Sequence, residues 1–291
     1  MTPLEVIKLT PLMERARGRG EVKIGLIDGP IVLDHPDLAG ATIHEIAGKA
    51  NSACTQTRST ACQHGTFVAG ILSARRGSAA PAICPDCTLL VRSIFAETGM
   101  TNGEIPSATP EELARAIFDC IDARARVLNI SAAIAQPSIN SERSLEEALD
   151  LAAMRGVIVI AAAGNQGTIG STALTRHPWV IPVVAYDLQG KPMGQSNLGS
   201  SIGRRGLGAP GDGITSLGAE GNALTLGGTS AAASFVTGAI ALLWSEFPTA
   251  TATEMRSAVM QAYTLRRTAV VPPLLDAWAA YQSLHTAYRR T

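Results

Sequence analysis

Long apolar runs without polar alternation recur along this chain, separated by stretches whose apolar residues return every three or four positions. The runs at 22–28, 88–94, 126–131, 157–162, 180–185 and 206–209 predict strands buried on both faces, since a half-solvated strand would alternate. The stretches at 11–18, 64–74, 110–124, 141–155, 229–247 and 252–263 carry a helical period. One helix start is spelled out by Thr109, Pro110 and Glu111-Glu112. These are a capping hydroxyl, a residue with no N–H to leave unpaired, and two acids on the positive end of the helix dipole. Strands and helices alternate without an internal repeat or a low-complexity segment. That order predicts an α/β fold of three layers, with a mostly parallel central sheet and helices on both faces. Beyond Pro272-Pro273, positions 274–284 predict an amphipathic helix docked on the body. The 291 residues are read as a single domain with its core at about 11–263.

Reactive groups in open α/β sheets collect at the carboxyl ends of strands, and four segments put polar side chains in such places. Val22 to Asp28 ends in a carboxylate before Gly29-Pro30; Asp28 is either a turn cap or an orienting acid. His64 stands at or near the start of a helix, and Gly65 after it admits close approach of another backbone. Val157 to Ala163 runs through small residues to Gly164-Asn165, where an amide can donate to developing negative charge or simply shape an Asn-Gln-Gly turn. Gly227-Gly228-Thr229-Ser230 sets one hydroxyl on the N-terminus of a long apolar helix, a place with free N–H groups and positive partial charge. Ser230 suits a nucleophile there, with a plain N-cap as the alternative.

In this order and context, Asp28, His64, Asn165 and Ser230 resemble the subtilisin-like serine proteases. The likeness runs from about Pro11 to about Phe247 and takes in His35-Pro36-Asp37-Leu38, Leu128 to Ala133 and Leu207 to Gly211. The order Asp…His…Ser, without a G-x-S-x-G elbow, separates the chain from α/β-hydrolases. The resemblance implies Ser230 as nucleophile, His64 as general base, Asp28 as the group that orients the imidazole, and Asn165 in the oxyanion hole. It also implies a substrate pocket lined by Ser131, Ala132, Ala133, Ala162, Ala163 and Gly164. The floor of that pocket falls at 171–177, where Arg176 or His177 would attract an acidic side chain if either pointed inward. Ile27 to Pro30, Cys62-Gln63-His64-Gly65 and Ala161 to Asn165 look most like the maturation proteases of cyanobactin-type ribosomal peptides. Their macrocyclising members carry a helical insertion between Asp and His, for which the stretch from Asp28 to His64 leaves little room. Cleavage of a leader or precursor peptide is therefore the expected activity, with macrocyclisation (transpeptidation) and peptide binding by an inactive relative as alternatives. All triad members are present, which weighs against the last.

Two departures from the family pattern stand out. Where relatives carry a calcium loop, Ser73 to Pro81 offers no carboxylate. Asp37 matches one calcium ligand only, so no metal or other cofactor is expected. Ser234 replaces a usual proline, restoring an N–H to the helix turn after Ser230 and bearing on the competition between water and an amine.

Composition changes the picture little. Formal net charge is zero and the basic pairs Arg75-Arg76, Arg204-Arg205 and Arg289-Arg290 are scattered, which does not support a nucleic-acid partner. Met1 to Gly20 has no apolar signal core and no membrane span is expected, so the reading is a cytoplasmic protein, or else an excised mature domain of a secreted one. The expected partner is a peptide or protein substrate, and no oligomeric state is read from the chain. The five cysteines allow loop disulfides, free thiols, or a zinc site from Cys54, Cys62, Cys84 and Cys87, with disulfides expected ahead of zinc. Cys120 reads as a small buried hydrophobe.

Overall fold

A computed structural model describes residues 1–97, 108–131, 143–261 and 270–289. Seven strands form one parallel sheet: β1 (Lys23–Asp28), β2 (Thr42–Glu45), β3 (Thr88–Ser93), β4 (Val127–Ile130), β5 (Ile158–Ala162), β6 (Val180–Tyr186) and β7 (Leu207–Pro210). Their spatial order is β2-β3-β1-β4-β5-β6-β7, and β8 (Ile214–Leu217) with β9 (Ala223–Leu226) makes a separate antiparallel hairpin.

Alternate residues of each central strand feed two different cores. Ile24, Leu26, Val127, Ile158, Ile160 and Ile181 pack with the helices Thr60–Ser73 and Thr229–Glu246. Ile27, Leu128, Ile130, Val159 and Ala161 pack with the helices Pro110–Asp122 and Arg143–Arg155. This is the three-layer arrangement expected from strands with no polar face.

Three strands escaped prediction for a common reason. β2 is a partly exposed edge strand, and the β8–β9 hairpin has exposed positions, so none offers a continuous apolar run. Several helix boundaries also move, the first predicted helix ending at Arg15. The helix before β3 begins at Thr60 because Ser59 Oγ accepts from the Cys62 N–H at 3.1 Å, which puts His64 near its start, one turn inside it. The C-terminal helix runs Ala277–Tyr288, not 274–284. Asp276 caps it, while Pro273 and Leu275 are taken by β7 through Gly208 N–H to Pro273 O (2.7 Å) and Leu275 N–H to Gly208 O (2.8 Å). No helix among the described residues is long and apolar enough to cross a membrane.

Candidate active site

Asp28 ends β1 with its side chain fully buried. Past it the chain runs tight against the helix Thr60–Ser73: a Cβ on Gly29 would strike the Ala61 carbonyl, and one on Gly65 would lie 2.5 Å from the Gly29 and Pro30 oxygens. Two bare backbones thus let that helix settle on the strand end, which the Gly after His64 had suggested. The result is a hydrogen bond of 2.7 Å between His64 Nδ1 and Asp28 Oδ1. The same oxygen accepts the Gly29 N–H at 2.6 Å, and Oδ2 is buried with no hydrogen-bond partner among the described residues. A buried carboxylate so sparsely solvated depends on the imidazole for compensation. It also fixes the proton on Nδ1, leaving Nε2 as the basic nitrogen. Burial alone would lower the His64 pKa, but the charge and hydrogen bond of Asp28 outweigh it and hold it above 6.5. With 12% of its side chain exposed, His64 is within reach of a bound substrate.

Ser230 is the second residue of the helix Thr229–Glu246, whose N-cap is Gly228 at φ 117°. The cap has no side chain and so offers no capping oxygen of its own to the first-turn N–H groups. Ser230 Oγ donates to Ser131 O at 3.3 Å, and no hydrogen bond among the described residues joins it to His64.

Asn165 sits beside that helix end. Its Oδ1 accepts from Thr229 N–H at 2.9 Å and Thr229 Oγ1 at 3.1 Å, while the Gly164 N–H donates to Thr229 Oγ1 at 3.2 Å. A Cβ on Gly228 would come within 2.9 Å of Asn165 Nδ2, so the amide lies against the nucleophile's turn. With Oδ1 engaged, Nδ2 is the end left to donate outward. Asn197 braces the loop by accepting from Gln166 and Thr168 N–H groups at 3.0 and 3.1 Å. Thr229 and Asn197 were not foreseen; the only signal for Thr229 was its place directly before Ser230.

The rest of the expected pocket is partly visible. Ser131, Ala162 and Ala163 are buried at the carboxyl ends of β4 and β5, with Ala163 packed among Val184, Tyr186 and Ile202. Gly164, at φ 105°, carries the turn into Asn165. Ala132 and Ala133 lie outside the described residues. His177 Nε2 meets Asp150 Oδ1 on the neighbouring helix at 3.1 Å, and Arg176 lines a surface hollow with Glu146 and Asp150. Both therefore have acidic neighbours of their own.

Cys54 and Cys62 form a disulfide with Cα atoms 5.5 Å apart, while Cys84, Cys87 and Cys120 are buried free thiols. This pairing removes the four-cysteine zinc site from consideration. Burial pushes the Cys120 thiol up to about 12, as a packed, inert group should be. Asp37 Oδ1 is held by Arg75 Nε at 2.5 Å. A guanidinium on the one matching carboxylate does not fit the oxygen shell calcium needs.

Residues 19–277 match the model of the subtilase family, peptidase S8. The chain belongs to this family and is a serine peptidase. It is 28% identical over 267 residues to subtilisin DY of Bacillus licheniformis, with 90% of each chain covered. It is 29% identical to subtilisin E of Bacillus subtilis (strain 168), with 86% of this subtilase covered and 62% of that longer relative. Among solved structures, a mutant of the protease domain of PatA superposes with TM-score 0.86 at 29% identity, covering 94% of this chain and 99% of that one. The prenylagaramide maturation protease PagA gives 0.82 at 27%, covering 95% and 98%. The PatG macrocyclase in complex with peptide, at 19% identity and TM-score 0.82 over 96% of each chain, shares the fold.

Proposed function

We propose that this subtilase hydrolyses peptide bonds through an acyl-enzyme on Ser230 and that its substrate is a precursor peptide. The observation that carries the reading is the buried Asp28–His64 pair, held at 2.7 Å, with no hydrogen bond to His64 Nε2 among the described residues. In the proposed reaction Ser230 Oγ leaves Ser131 O and attacks the carbonyl carbon as its proton passes to His64 Nε2. Negative charge gathers on the carbonyl oxygen, where Asn165 Nδ2 and the Ser230 N–H donate. Collapse breaks the C–N bond, and the amine departs with the proton from His64. Water, deprotonated by the same nitrogen, then releases the acid. Asp28 orients the ring and stabilises the imidazolium without taking its proton. These steps call only on the chain's own side chains and water, and no cofactor is proposed.

Two observations favour cleavage of a precursor over ring closure. PatA and PagA, both above 25% identity, are maturation proteases. Between Asp28 and His64 the chain holds only a 3-10 turn (Pro36–Leu38), β2 and the first turn of the His64 helix, with no inserted helix. Incubating the protein with a candidate precursor and an added amine, followed by mass spectrometry, separates the outcomes. Hydrolysed fragments that disappear in Ser230→Ala support the proposal. Predominant aminolysis or a ring would replace it with transpeptidation.

A further inference from the structure

The helix that carries Ser230 is lined by alanines and branched apolar residues, yet two turns beyond Ser230 it buries the hydroxyl of Thr237. Thr237 Oγ1 donates to Asn129 Oδ1 at 2.9 Å. Asn129 Nδ2 donates to Ser131 Oγ at 3.1 Å, and Ser131 O accepts from Ser230 Oγ at 3.3 Å. All four residues are buried. The hydrogen bonds leave the helix, cross to β4, run along it and return to the helix at the nucleophile.

Packing does not require this circuit. In the sheet register Asn129 stands between Leu26 of β1 and Ile160 of β5, so an apolar side chain would suit its position. An amide there costs about 2–7 kcal/mol unless its hydrogen bonds are made. Ala231, Ala232 and Ala233, which follow Ser230, have no polar side chain with which to fix the helix against the sheet. The sheet ladder of β4 meanwhile ends at Ile130, and among the described residues Ser131 has one backbone–backbone bond, to Ile27 O at 3.2 Å.

We propose that Thr237 and Asn129 are positioning residues: they lock the Ser230 helix to β4 and set the Ser131 end of that strand against the nucleophile. The inference rests on the peptidase reading of Ser230. A displacement of about 1 Å at a reacting centre costs on the order of a hundredfold in rate, which is the scale such a lock protects.

The test compares Thr237→Val, Thr237→Ser and the double variant Asn129→Leu/Thr237→Val by melting temperature, kcat, KM and the rate of Ser230 modification by a fluorophosphonate. Thr237→Val should lower kcat and the modification rate together by about ten- to a hundredfold with KM little changed, and Thr237→Ser should restore both. Replacing both partners by apolar groups removes the unpaired amide, so the double variant should melt near the wild type while its turnover stays low. Turnover that recovers along with melting temperature, or a Thr237→Val protein as fast as wild type, overturns the inference. If the double variant does not fold, the pair Thr237→Val and Thr237→Ser decides the matter alone. A wild-type protein left unmodified by the probe overturns the peptidase reading and this inference with it.

Discussion

Arg92 on β3 and Asp28 on β1 end up almost side by side, since Arg92 pairs in register with Ile27. Both have fully buried side chains, and both are held by charged hydrogen bonds. Arg92 gives Nε to Asp119 at 2.9 Å, Nη2 to Glu112 at 2.8 Å and Nη1 to the Ser93 carbonyl at 2.6 Å. Its charge is answered by two carboxylates of the helix Pro110–Asp122, and burial, which would lower its pKa, is outweighed by them. Asp28 instead faces one titratable ring, keeps one oxygen without a partner among the described residues, and shares its edge of the sheet with a hydroxyl and an amide. Burial and pairing alone therefore do not mark reactive chemistry. A partner that titrates near neutral pH, with one side open to solvent, does.

Breaking the Asp28 region should be far more costly to activity than breaking the Arg92 region. Ser230→Ala and His64→Ala should each lower peptide cleavage by about a millionfold, the scale of loss known for the subtilisin triad, with modest change in melting temperature. Near-normal turnover in His64→Ala would remove that residue from the mechanism. Asn165→Ala should reduce kcat by about 10²–10³ and leave KM nearly as it was, again a scale taken from subtilisin. A change confined to KM would make Asn165 a binding group only.

Arg92→Met tests the other side of the comparison. It strands Glu112 and Asp119 and should cost about 3–5 kcal/mol in denaturant melts, while kcat of the folded protein holds. Lost turnover at full stability would mean that the two clusters do not differ in kind. The smallest effect is expected at Arg75–Asp37, an ion pair whose arginine is 63% exposed. Arg75→Ala should cost under about 1 kcal/mol, and a calcium chelator should leave the wild-type melting temperature unchanged. A chelator-induced drop would restore a role for calcium.

The same contrast explains what could be read before the structure. The parallel strands β1 and β3 to β7 were legible because both their faces are apolar, and the four reactive side chains because each follows a recognisable local pattern. β2 and the hairpin were not, being short and partly solvated. The Cys54–Cys62 bond was one of several pairings the spacing allowed. The links from Thr237 to Asn129 and from Thr229 to Asn165 join residues far apart in the chain, and neither threonine departs from its neighbours in a way that names its partner. Local pattern identifies which groups react; their bracing depends on contacts that exist only once the helix and sheet have met.

The pH dependence of Ser230 modification by a fluorophosphonate, with the modified residue mapped by mass spectrometry, tests the central claim most directly. Asp28 favours the charged imidazole, so the neutral, proton-accepting form should appear only above the ordinary 6.5. Stability from the charged pair should be present below that value and lost as pH rises through the folded pKa. The account predicts a label on Ser230 whose rate rises with pH through a midpoint above 6.5, moved downward in Asp28→Asn. A label on another residue, or a rate flat from about pH 5 to 9, would contradict it.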